Sequence, residues 1–202
     1  MYVPLSYQKS EYDCGPTTLL NAISVLFERE TIPPDVVKHI MIYSIDAYND
    51  KGEFGKSGTS QMAMMFLSSW LNQFGKVKHF PIHCDFYTGE EVSLAQNSRI
   101  MAGLQLGGTA VSRVWFGVWH YVLLTGVEDG TVFLFDPYYR TQPFKNKKIE
   151  LITDEIGKAN RRLPIGIMNS EYKKPYAFGP LKTRETVMLF NMETQKTLEK
   201  TV

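Results

Sequence analysis

The chain has 202 residues, of which 44% are apolar and 21% charged, and its net charge is +1. That is enough chain to bury a substantial core in one domain, with room for a small appendage. The charge gives no whole-protein field that would point to nucleic acid or to a membrane surface. No stretch approaches the roughly 18–20 apolar residues of a membrane span. The opening residues lack the basic and apolar regions of a secretory signal, so the chain as given reads as cytoplasmic, although a trimmed signal would leave the same reading. Residues 1–140 hold 10 Lys/Arg against 14 Asp/Glu, and residues 141–202 hold 12 against 7. Opposite signs predict that the basic tail docks on the body. Two cysteines, Cys14 and Cys84, make no disulfide framework and read instead as one reactive thiol and one bystander.

In chain order, a short strand-like Tyr2–Leu5 leads into a polar loop, Gln8–Asp13. Cys14-Gly15-Pro16 then opens a helix, with Pro16 at the first helical position. Leu19, Ala22, Ile23, Leu26 and Phe27 form an apolar stripe along it. Pro33-Pro34-Asp35 starts a second helix. A third, capped by Thr59 or Ser60, runs to about Phe74, where Gly75 ends it. It is apolar nearly all round, which predicts burial. Residues 90–105 read as a fourth helix. Thr109–Trp115, Trp119–Val127 and Thr131–Phe135 read as strands, with a tight hairpin at Glu128-Asp129-Gly130. A short helix near Asp154–Asn160 and strands at Leu163–Met168 and Glu185–Asn191 follow. Helices first and strands afterwards predict an α+β fold, helices packed on a mainly antiparallel sheet.

Cys14 falls where the first helix begins, and a helix N-terminus stabilises a thiolate. The neighbouring Asp13 would oppose this if its carboxylate faced the sulfur. Most cysteines are small buried hydrophobes, but a polar run before Cys14 and Gly-Pro after it do not resemble a core slot. His120 lies near the start of the first hairpin strand and Asp136 follows the second. Counting back from the turn sets residue 120 opposite 137 to 139, so Asp136 lies within about one to three positions of directly across, roughly 5–8 Å away. A carboxylate there fixes the tautomer of a histidine base. The alternative is a packed strand histidine followed by an Asp-Pro turn. A glutamine amide near the nucleophile, as Gln8 offers, can donate to an oxyanion beside the Cys14 N–H.

Gln8-Lys-Ser-Glu-Tyr-Asp-Cys14-Gly-Pro-Thr-Thr-Leu-Leu, His120-Tyr-Val-Leu-Leu-Thr-Gly and Asp136-Pro137 together resemble the double-glycine leader peptidases, the papain-like cysteine peptidases that process bacteriocins. The resemblance implies a papain-like fold, Gln8 as oxyanion donor, Cys14 as nucleophile, His120 as base, Asp136 as the orienting residue, and a peptide or protein substrate with no cofactor. It covers roughly residues 1–140, to about 160. No transporter or ATPase segment accompanies it here, so the chain resembles the stand-alone relatives. Residues 1–160 are thus read as the peptidase domain and 161–202 as an extension that adds strands to it. The same thioester intermediate serves an acyltransferase, and a domain that only binds peptides is the third reading.

His79, His83 and Cys84 have a spacing that could ligate zinc, but no second cluster accompanies them, and the reading is that no metal is bound. Trp119 and Tyr121, beside the histidine, are candidate substrate contacts, although strand aromatics more often face a core. Lys145, Lys147, Lys148, Arg161, Arg162, Lys173 and Lys174 are interleaved with acids and read as a solvated face.

Overall fold

A computed structural model describes residues 5–153 and 159–196. The strand-like start, the helix expected near Asp154–Asn160 and the last residues of the tail fall wholly or largely outside these. Among the described residues the fold is α+β. Helices α1 (Cys14–Leu26), α2 (Pro34–Tyr43) and α3 (Gln61–Lys78) come first, then strand β1 (Ile82–Thr88) and helix α4 (Arg99–Gln105). Strands β2 (Thr109–Trp115), β3 (Trp119–Glu128), β4 (Thr131–Phe135), β5 (Glu150–Leu151) and β6 (Arg161–Pro164) follow, then helix α5 (Ile165–Met168) and strand β7 (Glu185–Asn191). The seven strands form one sheet in the order β1-β7-β2-β3-β4-β6-β5, every neighbouring pair antiparallel.

Strand alternation divides the core. Val111, Tyr121, Leu123, Val187 and Leu189 face α1, α2 and α3. Ala110, Val122, Leu124, Met188 and Phe190 face the opposite layer, with Ile100, Phe144, Met168, Tyr176 and Phe178. Strand β7 is buried at all seven positions and is bonded to β1 on one side and β2 on the other. The basic C-terminal part is therefore not laid on by charge. It is bound into the sheet by two backbone ladders.

Local chemistry explains where most elements start and stop. Pro34 takes the first position of α2, where its missing N–H costs nothing. Pro16 is the third residue of α1 rather than the first, still within the turn that needs no donor. Ser60 caps α3, accepting from the Ala63 N–H at 3.1 Å. The hairpin turn is Asp129-Gly130, both at positive φ (46° and 73°), which matches the twist of the strands it joins.

Four expectations are corrected. Helix α3 continues past Gly75 to Lys78 and is capped by His79, whose φ of 54° is left-handed. Gly75 serves close packing instead: a Cβ there would lie 2.8 Å from the Phe80 carbonyl oxygen. Nor is α3 buried all round, because Met62, Met65 and Phe66 are exposed while Ala63, Leu67 and Leu71 are buried. Third, the strand expected over Leu163–Met168 is split, since Pro164 ends β6 and α5 begins at Ile165. The fourth helix is also shorter than its apolar residues suggested, because a 3-10 turn (Gly89–Glu91) and loop occupy its first half. No helix among the described residues is long and apolar enough to cross a membrane.

Candidate active site

Cys14 is the first residue of α1, where an α-helix leaves its N–H groups without carbonyl partners of its own. Gly15 follows because nothing larger fits: a Cβ there would lie 2.1 Å from Thr59 Oγ1. Asp13 turns away from the thiol. Its carboxylate accepts from the Lys9 N–H (2.9 Å), the Ser10 N–H (2.7 Å) and the Ser10 hydroxyl (2.7 Å), closing the preceding loop on itself. Burial would raise its pKa, but these hydrogen bonds lower it.

His120 and Asp136 meet. Nε2 of His120 lies 2.7 Å from Asp136 Oδ1, with the histidine 6% exposed and the aspartate fully buried. The hairpin explains the distance. The pairing shifts by one residue between Leu124 and Gly126, and Leu123 then faces Phe135. Continued at that register, His120 faces Tyr138, and Asp136 is its same-face diagonal neighbour. Burial works against a charged imidazole, yet the hydrogen bond to Asp136, with the nearby Cys14 acting in the same direction, outweighs it and pushes the His120 pKa up to about 10. Burial likewise raises Asp136, but its bonds to His120, to Tyr176 and to the Tyr138 N–H hold the carboxyl below its usual range. With Nε2 committed to Asp136, Nδ1 is the nitrogen left for the thiol.

The loops on either side are stitched together. The Gln8 N–H donates to the Pro137 carbonyl at 2.9 Å, joining the segment before Cys14 to the one after Asp136. The Gln8 side-chain amide donates to the Ser10 carbonyl at 2.7 Å. One N–H of that amide remains for another acceptor. Gln8 Oε1 is buried without a partner among the described residues.

The two candidate substrate contacts differ. Tyr121 is 3% exposed, on the face under α1, and its hydroxyl donates to the buried carboxylate of Glu185, which also pairs with Arg113 at 3.3 Å. It is a core residue and presents no surface to a substrate. Trp119 is half-buried, edge-on to Trp115 (5.3 Å between ring centres), with Arg113 5.0 Å and Lys173 5.6 Å from its ring centre. The more open aromatics near the His120–Asp136 pair are Tyr7, Tyr138 and Tyr139.

His83 and Cys84 point to opposite faces of β1, Cys84 into the core and His83 towards Phe190 and Asp85, so they cannot converge on one ion. No group of three or more His, Cys, Asp or Glu among the described residues could hold a metal.

Several residues of the site carry no signal in the sequence. Thr18 is fully buried one turn into α1, and its hydroxyl donates to the Tyr121 carbonyl at 3.1 Å. Asn160 clamps Asp136 by its main chain: it accepts from the Asp136 N–H and donates to the Asp136 carbonyl, both at 2.8 Å. Arg161, read as part of a solvated face, is 2% exposed and donates to the Tyr176 hydroxyl, to the Asn160 carbonyl and to the Tyr138 carbonyl.

The fold and site define an α+β chain that brings a cysteine, a histidine and an aspartate together where a helix meets a hairpin. No protein-family model matches the chain, and no curated protein matches it. Among solved structures it is similar to a double glycine motif protease from an AMS/PCAT transporter, crystallised in complex with the leader peptide. That similarity has 11% identity and a TM-score of 0.40, over 93% of this chain and 89% of the other.

Proposed function

We propose that the chain is a papain-like cysteine peptidase that cleaves a peptide or amide bond. The observation that carries this reading is the buried His120–Asp136 pair at 2.7 Å, with the same imidazole drawn towards Cys14 at the head of α1. Asp136 fixes the ring and stabilises its protonated form, and a paired imidazolium is what a thiolate nucleophile needs beside it.

The reaction needs no cofactor. The Cys14 sulfur attacks the carbonyl carbon, and the resulting oxyanion takes hydrogen bonds from the Cys14 N–H and the free N–H of the Gln8 amide. His120 gives its proton to the departing amine, leaving a thioester on Cys14. Water, deprotonated by His120, then attacks the thioester, releasing the acid and the thiol. The substrate is a peptide or protein, and Trp119, half-buried and next to His120 on β3, is a candidate contact for it. Residues 161–202 belong to the same domain as 1–160, a reading supported by the place of β7 between β1 and β2.

Incubation with a peptide library, with and without added amines, tests the proposal. Cleavage that disappears in Cys14→Ser is the expected result. Amide products formed only with added amines would make the chain an acyltransferase. Neither product, alongside an inert Cys14, would leave a domain that only binds peptides.

A further inference from the structure

Tyr176 lies in the segment after residue 160, far in sequence from each member of the triad. It is fully buried, and its backbone holds a φ of 64°, an unusual conformation for a residue with an aromatic side chain. Such a conformation persists only where the surroundings enforce it. Here they do. The Tyr176 N–H donates to the Trp115 carbonyl at 2.8 Å, and the Trp115 N–H donates to the Ala177 carbonyl at 2.8 Å. The ring packs against Phe116 and Phe144, with ring centres 5.1 and 5.6 Å away.

What this enforced geometry delivers is one hydroxyl. It donates to Asp136 Oδ2 at 2.6 Å and accepts from Arg161 Nε at 3.2 Å. Both oxygens of the carboxylate are thereby engaged. Oδ1 accepts from the His120 ring and from the Tyr138 N–H, and Oδ2 accepts from Tyr176. No arginine touches Asp136 in any of these bonds. The positive charge of Arg161 reaches the carboxylate through the tyrosine hydroxyl, which it polarises. A buried carboxylate oxygen without that donor would favour the protonated acid, and a neutral Asp136 would no longer support an imidazolium on His120.

We infer that Tyr176, backed by Arg161, is a positioning residue of the active site: it holds Asp136 ionised and aimed at His120. This rests on the proposed triad for its role in catalysis, but the link from Tyr176 to His120 can be measured without any substrate.

The test is an NMR titration of the His120 ring nitrogens in the full chain, the signal assigned by its loss in His120→Ala. Cys14 alkylation by iodoacetamide is followed over the same pH range. In Tyr176→Phe the His120 midpoint should fall by about one pH unit, a tenfold change in its protonation equilibrium, and the pH profile of Cys14 alkylation should move with it. Arg161→Gln should shift both in the same direction by less, and it replaces Tyr176→Phe if that variant does not fold. A lowered melting temperature with an unmoved His120 midpoint would make Tyr176 merely structural and overturn the inference. An inert Cys14 in the unaltered protein, with the His120 shift intact, would count against the peptidase proposal alone.

Discussion

Thr18 Oγ1 donates to the Tyr121 carbonyl at 3.1 Å, across 103 residues of sequence. Thr18 lies one helical turn beyond Cys14, and Tyr121 directly follows His120. This hydrogen bond therefore fixes the helix that carries the thiol to the strand that carries the imidazole.

Thr18→Val keeps the shape and removes the donor, leaving a buried carbonyl without this partner. The expected cost is on the order of 1–3 kcal/mol, read as a fall of roughly 2–4 °C in Tm per kcal/mol for a chain of this size. Alkylation of Cys14 should slow as well, and Thr18→Ser should recover most of both losses. A Thr18→Val protein with unchanged Tm and unchanged Cys14 reactivity would show that the bond does not hold the two elements.

The His120–Asp136 pair predicts a defined pH dependence of stability. His120 has a folded pKa of about 10 against an ordinary 6.5, so its contribution is complete below pH 6.5 and drains away as the pH rises through 10. Asp136 is lowered from 3.8, so its contribution is present above that value and is lost as the pH falls through the folded one. Melting curves of the unaltered protein and of His120→Ala isolate the effect. Their Tm difference should be greatest between pH 3.8 and 6.5, and should narrow on both sides. A difference that widens between pH 7 and 10 would contradict the assignment.

Gly15 is constrained by Thr59, the residue before the α3 cap. Gly15→Ala would force its Cβ against the Thr59 side chain, with Cβ to Cβ at 2.7 Å. Overpacking of this kind costs about 1–3 kcal/mol, and here the displaced segment carries Cys14. Both Tm and Cys14 alkylation should fall, whereas Gly130→Asn should leave the alkylation rate unchanged. A Gly15→Ala protein with normal Tm would mean that Thr59 moves aside freely.

The hairpin and the first helix were legible because their signals are local. Alternation of Val, Trp, Tyr and Phe marks β2, β3 and β4, and an apolar stripe after Cys14-Gly-Pro marks α1. The hairpin also gave the neighbourhood of His120 and Asp136, since two strands joined by a tight turn have their register set by counting. Tyr176, Arg161, Asn160 and Thr18 were not legible. Each acts through hydrogen bonds that reach residues distant in sequence, and nothing in the periodicity around Lys174-Pro175-Tyr176 separates that tyrosine from the other ten. Tyr121 was left open between core and substrate contact for a related reason: alternation shows that neighbours on a strand face opposite ways, but not which face meets the helices. Gly75 was read as a helix stop because close approach of the Phe80 backbone has no signature in the surrounding sequence.

The account turns on an imidazole that activates the thiol at the head of α1. Brief exposure to iodoacetamide at neutral pH, followed by mass spectrometry, tests this most directly. Cys84 is an internal control: burial, with Asp85 beside it, pushes its thiol up, so it should stay unmodified. The account predicts that Cys14 is alkylated selectively and that its rate falls at least ~10-fold in His120→Ala. An inert Cys14, or one alkylated equally fast with and without His120, would contradict it.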